Sequence, residues 1–151
     1  MHKHWGSFLT HCIIHPYMQA VHAEQVNVLT LGPLHQKLKN HIKNIIKNTN
    51  LILAPDASYK LSTLDGKLWH QPEVIIAIQQ LIPSLPHIKP VVTTFFHGIL
   101  ETWEWFTSKF CDSSDISKLT EAEWNMAFMP STNNINEGAL GTYQNNQQAK
   151  P

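Results

Sequence analysis

Apolar residues recur along this chain at intervals of three and four, which is the spacing of a helix that buries one face. The clearest stripe consists of Leu34, Leu38, Ile42, Ile45 and Ile46. Pro33 precedes this stripe and suits the first position of a helix, where its missing N–H costs nothing. The pattern therefore predicts a helix from Pro33 to about Asn48.

Two more helices are predicted further along the chain. Pro72 opens one that continues through Ile82, and the other runs from Val91 to Phe110. The second of these carries a stripe of Val92, Phe96, Ile99, Trp103, Phe106 and Phe110. Such aromatic density indicates the central element of the core. If the stripe is exposed instead, the Trp103–Phe110 segment becomes a surface for a partner protein.

Shorter helical elements are predicted at both ends. A segment from about His4 to Asn27 has helical character and is interrupted at Pro16. Near the other end, Thr120 and Glu123 have the spacing of a capping box, which predicts a short helix directly after Thr120.

Residues 59–70 predict the one β-element of the chain. Residues 59–64 and 67–70 flank Asp65-Gly66, a dipeptide that favours a tight hairpin turn. We therefore expect an α+β fold that is mainly α-helical, with a single domain over residues 1–143. This domain would contain about five to six helices and one β-hairpin. Residues 144–151 are expected to form a disordered tail.

Composition and charge indicate what the chain can bind and where in the cell it is expected. The 151 residues include 11 basic and 11 acidic ones, so the formal net charge is zero and no overall field attracts nucleic acid. A local basic stripe on the Pro33 helix supplies the candidate nucleic-acid-binding residues: Lys37, Lys39, Lys43 and Lys47. The chain has no long apolar segment and no signal sequence, so an intracellular location away from membranes, nuclear or cytoplasmic, is expected. Cys12 and Cys111 are accordingly expected to be free thiols.

Two of the ten histidines have a spacing that suits a metal ion. His11 and His15 lie four residues apart, so a helix would present both imidazoles on one face. They are the candidate metal ligands, and spacing alone does not fix a third.

A polar, Asn-rich run from Ser131 to Tyr143 contains a single acid, Glu137. Asn134 and Glu137 have the spacing of a helix N-cap and its N3 partner, which is a structural interpretation. The alternative is chemical, with Glu137 as an acid of a site that processes nucleic acid.

The wider run Met-Pro-Ser-Thr-Asn-Asn-Ile-Asn-Glu-Gly-Ala-Leu-Gly-Thr-Tyr, residues 129–143, resembles a motif of an uncharacterised fungal protein family of basidiomycete type that is associated with mobile elements. The resemblance extends back through residues 119–123, 95–107 and 63–67 to Leu34-His35. Its Asn-Asn-x-x-Glu part is also similar to the region around the last acid of DDE-type transposases. In such enzymes three carboxylates hold two divalent ions, which activate water.

That similarity implies a site for Mg²⁺ or Mn²⁺. Glu137 would be one ligand, Asp56 another, and Asp112 or Asp115 the third. The chain departs from the family after Tyr143, where a Gln- and Asn-rich stretch replaces the expected basic residues.

Three function hypotheses follow. The leading one is a non-catalytic fragment or remnant of a transposase-like protein that retains binding to DNA or to a parent or partner protein. The second is part of a metal-dependent nuclease or transposase with Glu137, Asp56 and Asp112 as catalytic acids. The third is a helical protein-interaction module. Only the second requires the chain to be an enzyme.

Overall fold

The computed structural model describes Gly6 and residues 9–111 and 113–131 of the chain. Seven α-helices form within these ranges: α1 His15–Val21, α2 Gly32–Lys47, α3 Asn50–Leu53, α4 Tyr59–Ser62, α5 Pro72–Leu81, α6 Ile88–Phe106 and α7 Glu121–Met126. A π-helical turn, Thr10–Ile14, precedes α1, and 3-10 turns occur at Val28–Thr30, Ile82–Ser84, Ser108–Phe110 and Ile116–Lys118. None of the described helices has both the length and the apolar character needed to cross a bilayer.

The fold is mainly α-helical, and the α+β expectation is wrong. The described residues form no β-strand, and their one β-type pairing is an isolated antiparallel bridge between Asn27 and Pro130. The expected hairpin near residues 59–70 is therefore absent. The described part of the chain also contains more α-helices than the five to six expected, because the short helices α3 and α4 carry no periodic signal of their own.

The turn at Asp65-Gly66 explains why no hairpin forms. The Gly66 N–H donates to the carbonyl oxygen of Thr63 at 3.3 Å, so Leu64 and Asp65 are the central residues of the turn. A type I′ hairpin turn needs positive φ at both central residues, whereas among these four residues Gly66 alone has it, at 71°. The Asp65 carboxylate also accepts the Lys67 N–H at 3.1 Å, and such a local bond competes with strand pairing.

The centre of the core lies where α2 packs against α6. The predicted helix after Pro33 is confirmed, and its buried apolar residues are Leu38, Ile42 and Ile45. Val92 and Phe96 face them from α6, and the core is completed by Cys12, Ile13, Ile52, Leu53, Leu64, Ile75, Ile78 and Ile88. Each such aliphatic side chain contributes about 1.5–3 kcal/mol on full burial.

α6 differs from its prediction at both ends. It begins at Ile88, ahead of Pro90, because the first helical turn tolerates a missing N–H. It ends at Phe106, where the Thr107 hydroxyl donates to a carbonyl oxygen of the last turn and the chain enters the 3-10 turn Ser108–Phe110. As a result Phe106, expected in the buried stripe, is 66% exposed.

The first helical segment ends earlier than predicted. α1 ends at Val21, and Pro16 lies in its first turn, where it does not interrupt the helix. Asn27 is not helical; its side chain caps the 3-10 turn Val28–Thr30 instead.

The predicted capping box of α7 is confirmed. The Thr120 hydroxyl oxygen accepts the Glu123 N–H at 3.3 Å, and the Glu123 carboxylate accepts the Thr120 N–H at 2.8 Å. After α7 the chain returns to the first helices, and the Ser131 hydroxyl donates to the carbonyl oxygen of Val21. The C-terminal end of the described chain therefore lies against the end of α1 and the segment after it.

Candidate functional site

Of the predicted catalytic acids, the structure describes Asp56, which lies on an exposed turn after α3, and the alternative third acid Asp115, whose carboxylate lies 3.2 Å from the Lys118 ammonium. Asp112 and Glu137 fall outside the described residues, as do the Asn134 cap and the tail at 144–151. Within the described ranges no three His, Cys, Asp or Glu side chains are grouped so that they could hold a metal ion. The three-acid site, with its Mg²⁺ or Mn²⁺, stays a prediction.

The candidate metal ligands His11 and His15 lie beside a third histidine, His70. The His15 and His70 rings stack with centroids 4.4 Å apart and planes 13° apart, and the His11 centroid is 6.1 Å from that of His70. Burial, followed by the charges of His70 and His15, lowers the pKa of His11, while Glu73 and Gln71 oppose this shift. The surroundings of His11 therefore favour the neutral imidazole, and a metal at His11 and His15 stays a prediction.

The four candidate nucleic-acid-binding lysines do not share one surface. Lys39, Lys43 and Lys47 follow one another at intervals of four on one side of α2, whereas Lys37 lies on a different side. Lys37 and Lys39 accordingly line two different depressions. The Lys43 ammonium lies 3.2 Å from the Glu104 carboxylate, which offsets its charge.

α6 exposes an apolar face. Its exposed fractions are 58% for Val91, 45% for Phe95, 74% for Trp105 and 66% for Phe106. The rings of Trp105 and Phe106 meet edge to face with centroids 5.1 Å apart. These four residues recur at helical spacing, so they share a side of α6 that is roughly 100° away from the residues that face the core.

Small residues form the middle of this apolar face. Thr94, Gly98 and Thr102 follow one another at intervals of four, and a Cβ atom placed on Gly98 would meet nothing within 4 Å. A depression of about 480 Å³ lies over them. We call the set of Val91, Thr94, Phe95, Gly98, Thr102, Trp105 and Phe106 the α6 outer face. It has apolar side chains at both ends and an open notch between them.

A second candidate is a groove of about 540 Å³ at the start of α2, which we call the α2 groove. Its apolar walls are formed by Leu29, Pro33, Phe110, Ile116 and Trp124. Its polar lining residues are Thr30, Gln36, Lys39, Cys111 and Ser117. Among the described lining residues Lys39 is the one that is charged at neutral pH. Apolar walls with a few polar groups, in a volume of this size, are typical of small-molecule sites.

Asn27 joins two walls of the α2 groove. Its amide nitrogen donates to the carbonyl oxygen of Trp124 at 2.9 Å, and its amide oxygen accepts the N–H groups of Leu29 at 3.1 Å and Met129 at 3.3 Å. The Trp124 indole N–H in turn donates to the carbonyl oxygen of Ile116 at 3.3 Å. Because Asn27 is only 8% exposed, these bonds are shielded from water. The groove is therefore a fixed part of the fold.

Cys111 places a thiol at the edge of the α2 groove. Its Sγ lies 3.3 Å from the hydroxyl oxygen of Ser113, and hydrogen bonding to Ser113 lowers the pKa of the thiol. The thiolate is the nucleophilic form of cysteine, and Cys111 is exposed. The rate at which the Cys111 thiol is alkylated can therefore show whether the groove is open or occupied.

Next to Phe110 of the groove wall, His35 is buried in an aromatic cluster. The centroid of the His35 ring is 4.7 Å from that of Phe110, 6.0 Å from that of Trp103 and 6.1 Å from that of Tyr17. Burial, followed by the charge of Lys39, lowers the pKa of His35. His35 Nδ1 is buried without a hydrogen-bond partner among the described atoms. His35 is thus a packing residue in its neutral form.

Comparison of the chain with protein-family models, with curated proteins and with solved structures gives no match. The resemblance to a fungal mobile-element family and to DDE-type transposases therefore rests on the sequence motif and stays a prediction.

The sequence pattern predicts only part of the α6 outer face. The predicted partner surface is the Trp103–Phe110 segment, whereas the exposed face of the structure extends back to Val91. The repeat of small residues at Thr94, Gly98 and Thr102 is the signal that could have located it. No such signal exists for the α2 groove, because Asn27 and the residues that it joins are far apart in the sequence.

Proposed function

We propose that this chain is a helical protein-interaction module whose α6 outer face binds the same face of a second copy of the chain. The exposed pair of Trp105 and Phe106, two helical turns along α6 from the open notch at Gly98, carries this proposal. Aromatic residues are enriched in interfaces, and a contiguous exposed apolar patch commonly marks a binding surface.

The residue pattern of the α6 outer face suits an antiparallel copy of itself. Val91 and Trp105 lie seven residues on either side of Gly98, and Thr94 and Thr102 lie four residues on either side. A twofold axis at Gly98 would place Val91 of one chain against Trp105 of the other, and Thr94 against Thr102. The small residues would let the two helices approach closely while the larger ones cover each other.

Charge also supports a second copy as the occupant. The seven residues of the α6 outer face include no ionisable side chain, and the exposed Glu101 lies on its flank, one helical turn before Trp105. The formal net charge of the chain is zero, so two copies carry no overall electrostatic repulsion.

Sedimentation velocity over a wide concentration range tests the proposal. The wild type is expected to form a dimer. Trp105→Ser is expected to raise the dissociation constant of that dimer by roughly tenfold or more, since a buried interfacial Trp commonly contributes about 2 kcal/mol to the free energy of binding. Gly98→Leu fills the notch and is expected to prevent close approach. Phe128→Ser removes another exposed aromatic residue, 53% exposed against 74% for Trp105, from outside the face and serves as the control.

Two results would overturn the proposal. One is a chain that stays monomeric at every concentration. The other is a dimer that Trp105→Ser and Gly98→Leu leave intact.

This proposal retains the third hypothesis from the sequence. The transposase-like hypotheses depend on Glu137, which the described residues do not include. A role in DNA binding would depend on the row of Lys39, Lys43 and Lys47, of which Lys43 is already paired with Glu104.

A further inference from the structure

We propose that the α2 groove binds a small molecule that has an apolar body and one anionic group. Phe110, Trp124 and Ile116 offer the apolar body a largely hydrophobic wall. The volume of about 540 Å³ lies within the range of roughly 300–1,000 Å³ that is typical of small-molecule pockets. This site is independent of the α6 outer face.

Lys39 sets the sign of the charge that the groove attracts. No carboxylate of the described residues pairs with Lys39, whereas Lys43, one helical turn further on, pairs with Glu104 at 3.2 Å. The described acid of the adjoining segment, Asp115, is paired with Lys118 at 3.2 Å. As far as the described residues extend, the groove therefore presents a positive charge without a counter-ion beside an apolar wall, and an amphiphilic anion complements both.

The groove is also built to keep its shape. The Asn27 side chain joins the backbone of Leu29 on one wall to that of Trp124 on the other. A site whose walls are already fixed loses little conformational entropy when a ligand binds, so a modest number of contacts gives useful affinity.

Two dyes with the same aromatic body test whether the anionic group is recognised. 1-Anilinonaphthalene-8-sulfonate carries one sulfonate, and N-phenyl-1-naphthylamine lacks it. Titrations followed by dye fluorescence are expected to show that the wild type binds the sulfonate dye roughly tenfold more tightly, the value of a charge-assisted hydrogen bond. Lys39→Gln is expected to remove this difference and to leave the affinity for the neutral dye within about twofold.

Lys37→Gln is the matched control, because Lys37 lies on the same helix and lines a different depression. It is expected to change neither affinity. Raising the salt concentration should weaken binding of the sulfonate dye alone.

Protection of Cys111 shows where the dye binds. Bound sulfonate dye is expected to slow alkylation of Cys111 by iodoacetamide several-fold, because the thiol lies at the edge of the groove. Trp105→Ser should leave dye binding unchanged, which separates the groove from the α6 outer face.

Three outcomes would overturn the proposal. Equal affinity of the wild type for the two dyes would indicate a purely apolar groove that suits a side chain of a protein partner. Sulfonate-dye binding that survives Lys39→Gln, or that leaves Cys111 fully reactive, would place the dye elsewhere. A wild type that binds neither dye would exclude the site altogether.

Discussion

The indole N–H of Trp69 donates to the hydroxyl oxygen of Ser62 over 3.0 Å, inside the segment that the sequence predicts as a hairpin. Both residues lie against the thiol of Cys12, and Leu64 donates its N–H to the Cys12 carbonyl oxygen at 2.9 Å. Burial raises the pKa of Cys12 to about 12, and the hydrogen bonds of Ser62 and Trp69 only partly oppose this shift. Residues 59–70 therefore pack over the part of the core that contains Cys12, and the Cys12 thiol stays protonated at neutral pH.

The two cysteines are expected to differ sharply in reactivity. Cys111 is exposed and has a lowered pKa, whereas Cys12 is 1% exposed and has a raised one. Ellman's reagent at neutral pH should therefore titrate one thiol quickly and the second only after urea is added. Cys111→Ser should abolish the fast phase. Two fast thiols in the native protein would contradict the burial of Cys12.

Asn27→Ala is expected to destabilise the protein strongly. The change removes three buried hydrogen bonds to Trp124, Leu29 and Met129 and leaves their backbone groups unpaired, at a cost of roughly 2–4 kcal/mol in the free energy of unfolding. Urea unfolding measures this cost. Asn125→Ala, an exposed asparagine of α7, should change stability by less than about 0.5 kcal/mol. Similar costs for the two variants would show that Asn27 does not join the walls of the groove.

Two neighbouring isoleucines of α5 provide a test of helix orientation. Ile75 is fully buried, whereas Ile76 is 48% exposed. Ile75→Ala should cost about 2–5 kcal/mol, since it leaves a cavity in the core. Ile76→Ala should cost less than about 1 kcal/mol, as expected for a partly exposed position. Thermal or urea unfolding measures the loss of stability in each variant. A larger loss for Ile76→Ala than for Ile75→Ala would mean that α5 presents Ile76, and not Ile75, to the core.

Stability is expected to fall on acidification. Burial is the main cause of a lowered pKa at His35 and His41, and His41 donates from Nε2 to the carbonyl oxygen of Ser62 at 3.1 Å. The unfolded chain, with histidine pKa values near 6.5, therefore takes up protons first as the pH drops. The free energy of unfolding should be highest above about pH 6.5 and should decrease as the pH falls through the lower pKa values of the folded state. Urea midpoints at several pH values test this, and midpoints independent of pH would contradict it.

His35→Phe should raise stability and reduce this dependence on pH. A phenyl ring suits the cluster of Phe110, Trp103 and Tyr17, and it removes a buried nitrogen without a partner, which is worth about 1 kcal/mol or more. The gain should be larger at acidic pH, where the unfolded state of the wild type is favoured by protonation. His22→Phe, at an exposed position, should show neither effect.

The sequence predicts a helix correctly where its local signals, such as apolar spacing or a capping box, agree with the way the helix packs in the fold. α2 and the capping box of α7 are of this kind, because local propensity and tertiary packing favour the same structure. Asp65-Gly66 shows the opposite case: the dipeptide permits several turns, and its surroundings favour one in which Gly66 takes the last position.

The candidate site was harder to predict for a similar reason. The α2 groove depends on Asn27, which is bonded not only to nearby Leu29 but also to Trp124 and Met129, and local patterns hold no information about these distant pairings. The exposure of Phe106 was missed because helix periodicity indicates which residues share a side and does not indicate where the helix will end.

The hydrogen bond between Asn27 and Trp124 joins residues that are 97 positions apart. α2 and α6 both end before residue 107, so a chain truncated before α7 still contains both partners of the central packing, but the walls of the groove can meet only when Trp124 is present. A chain truncated before α7 would therefore keep the helices of its centre and lack the α2 groove.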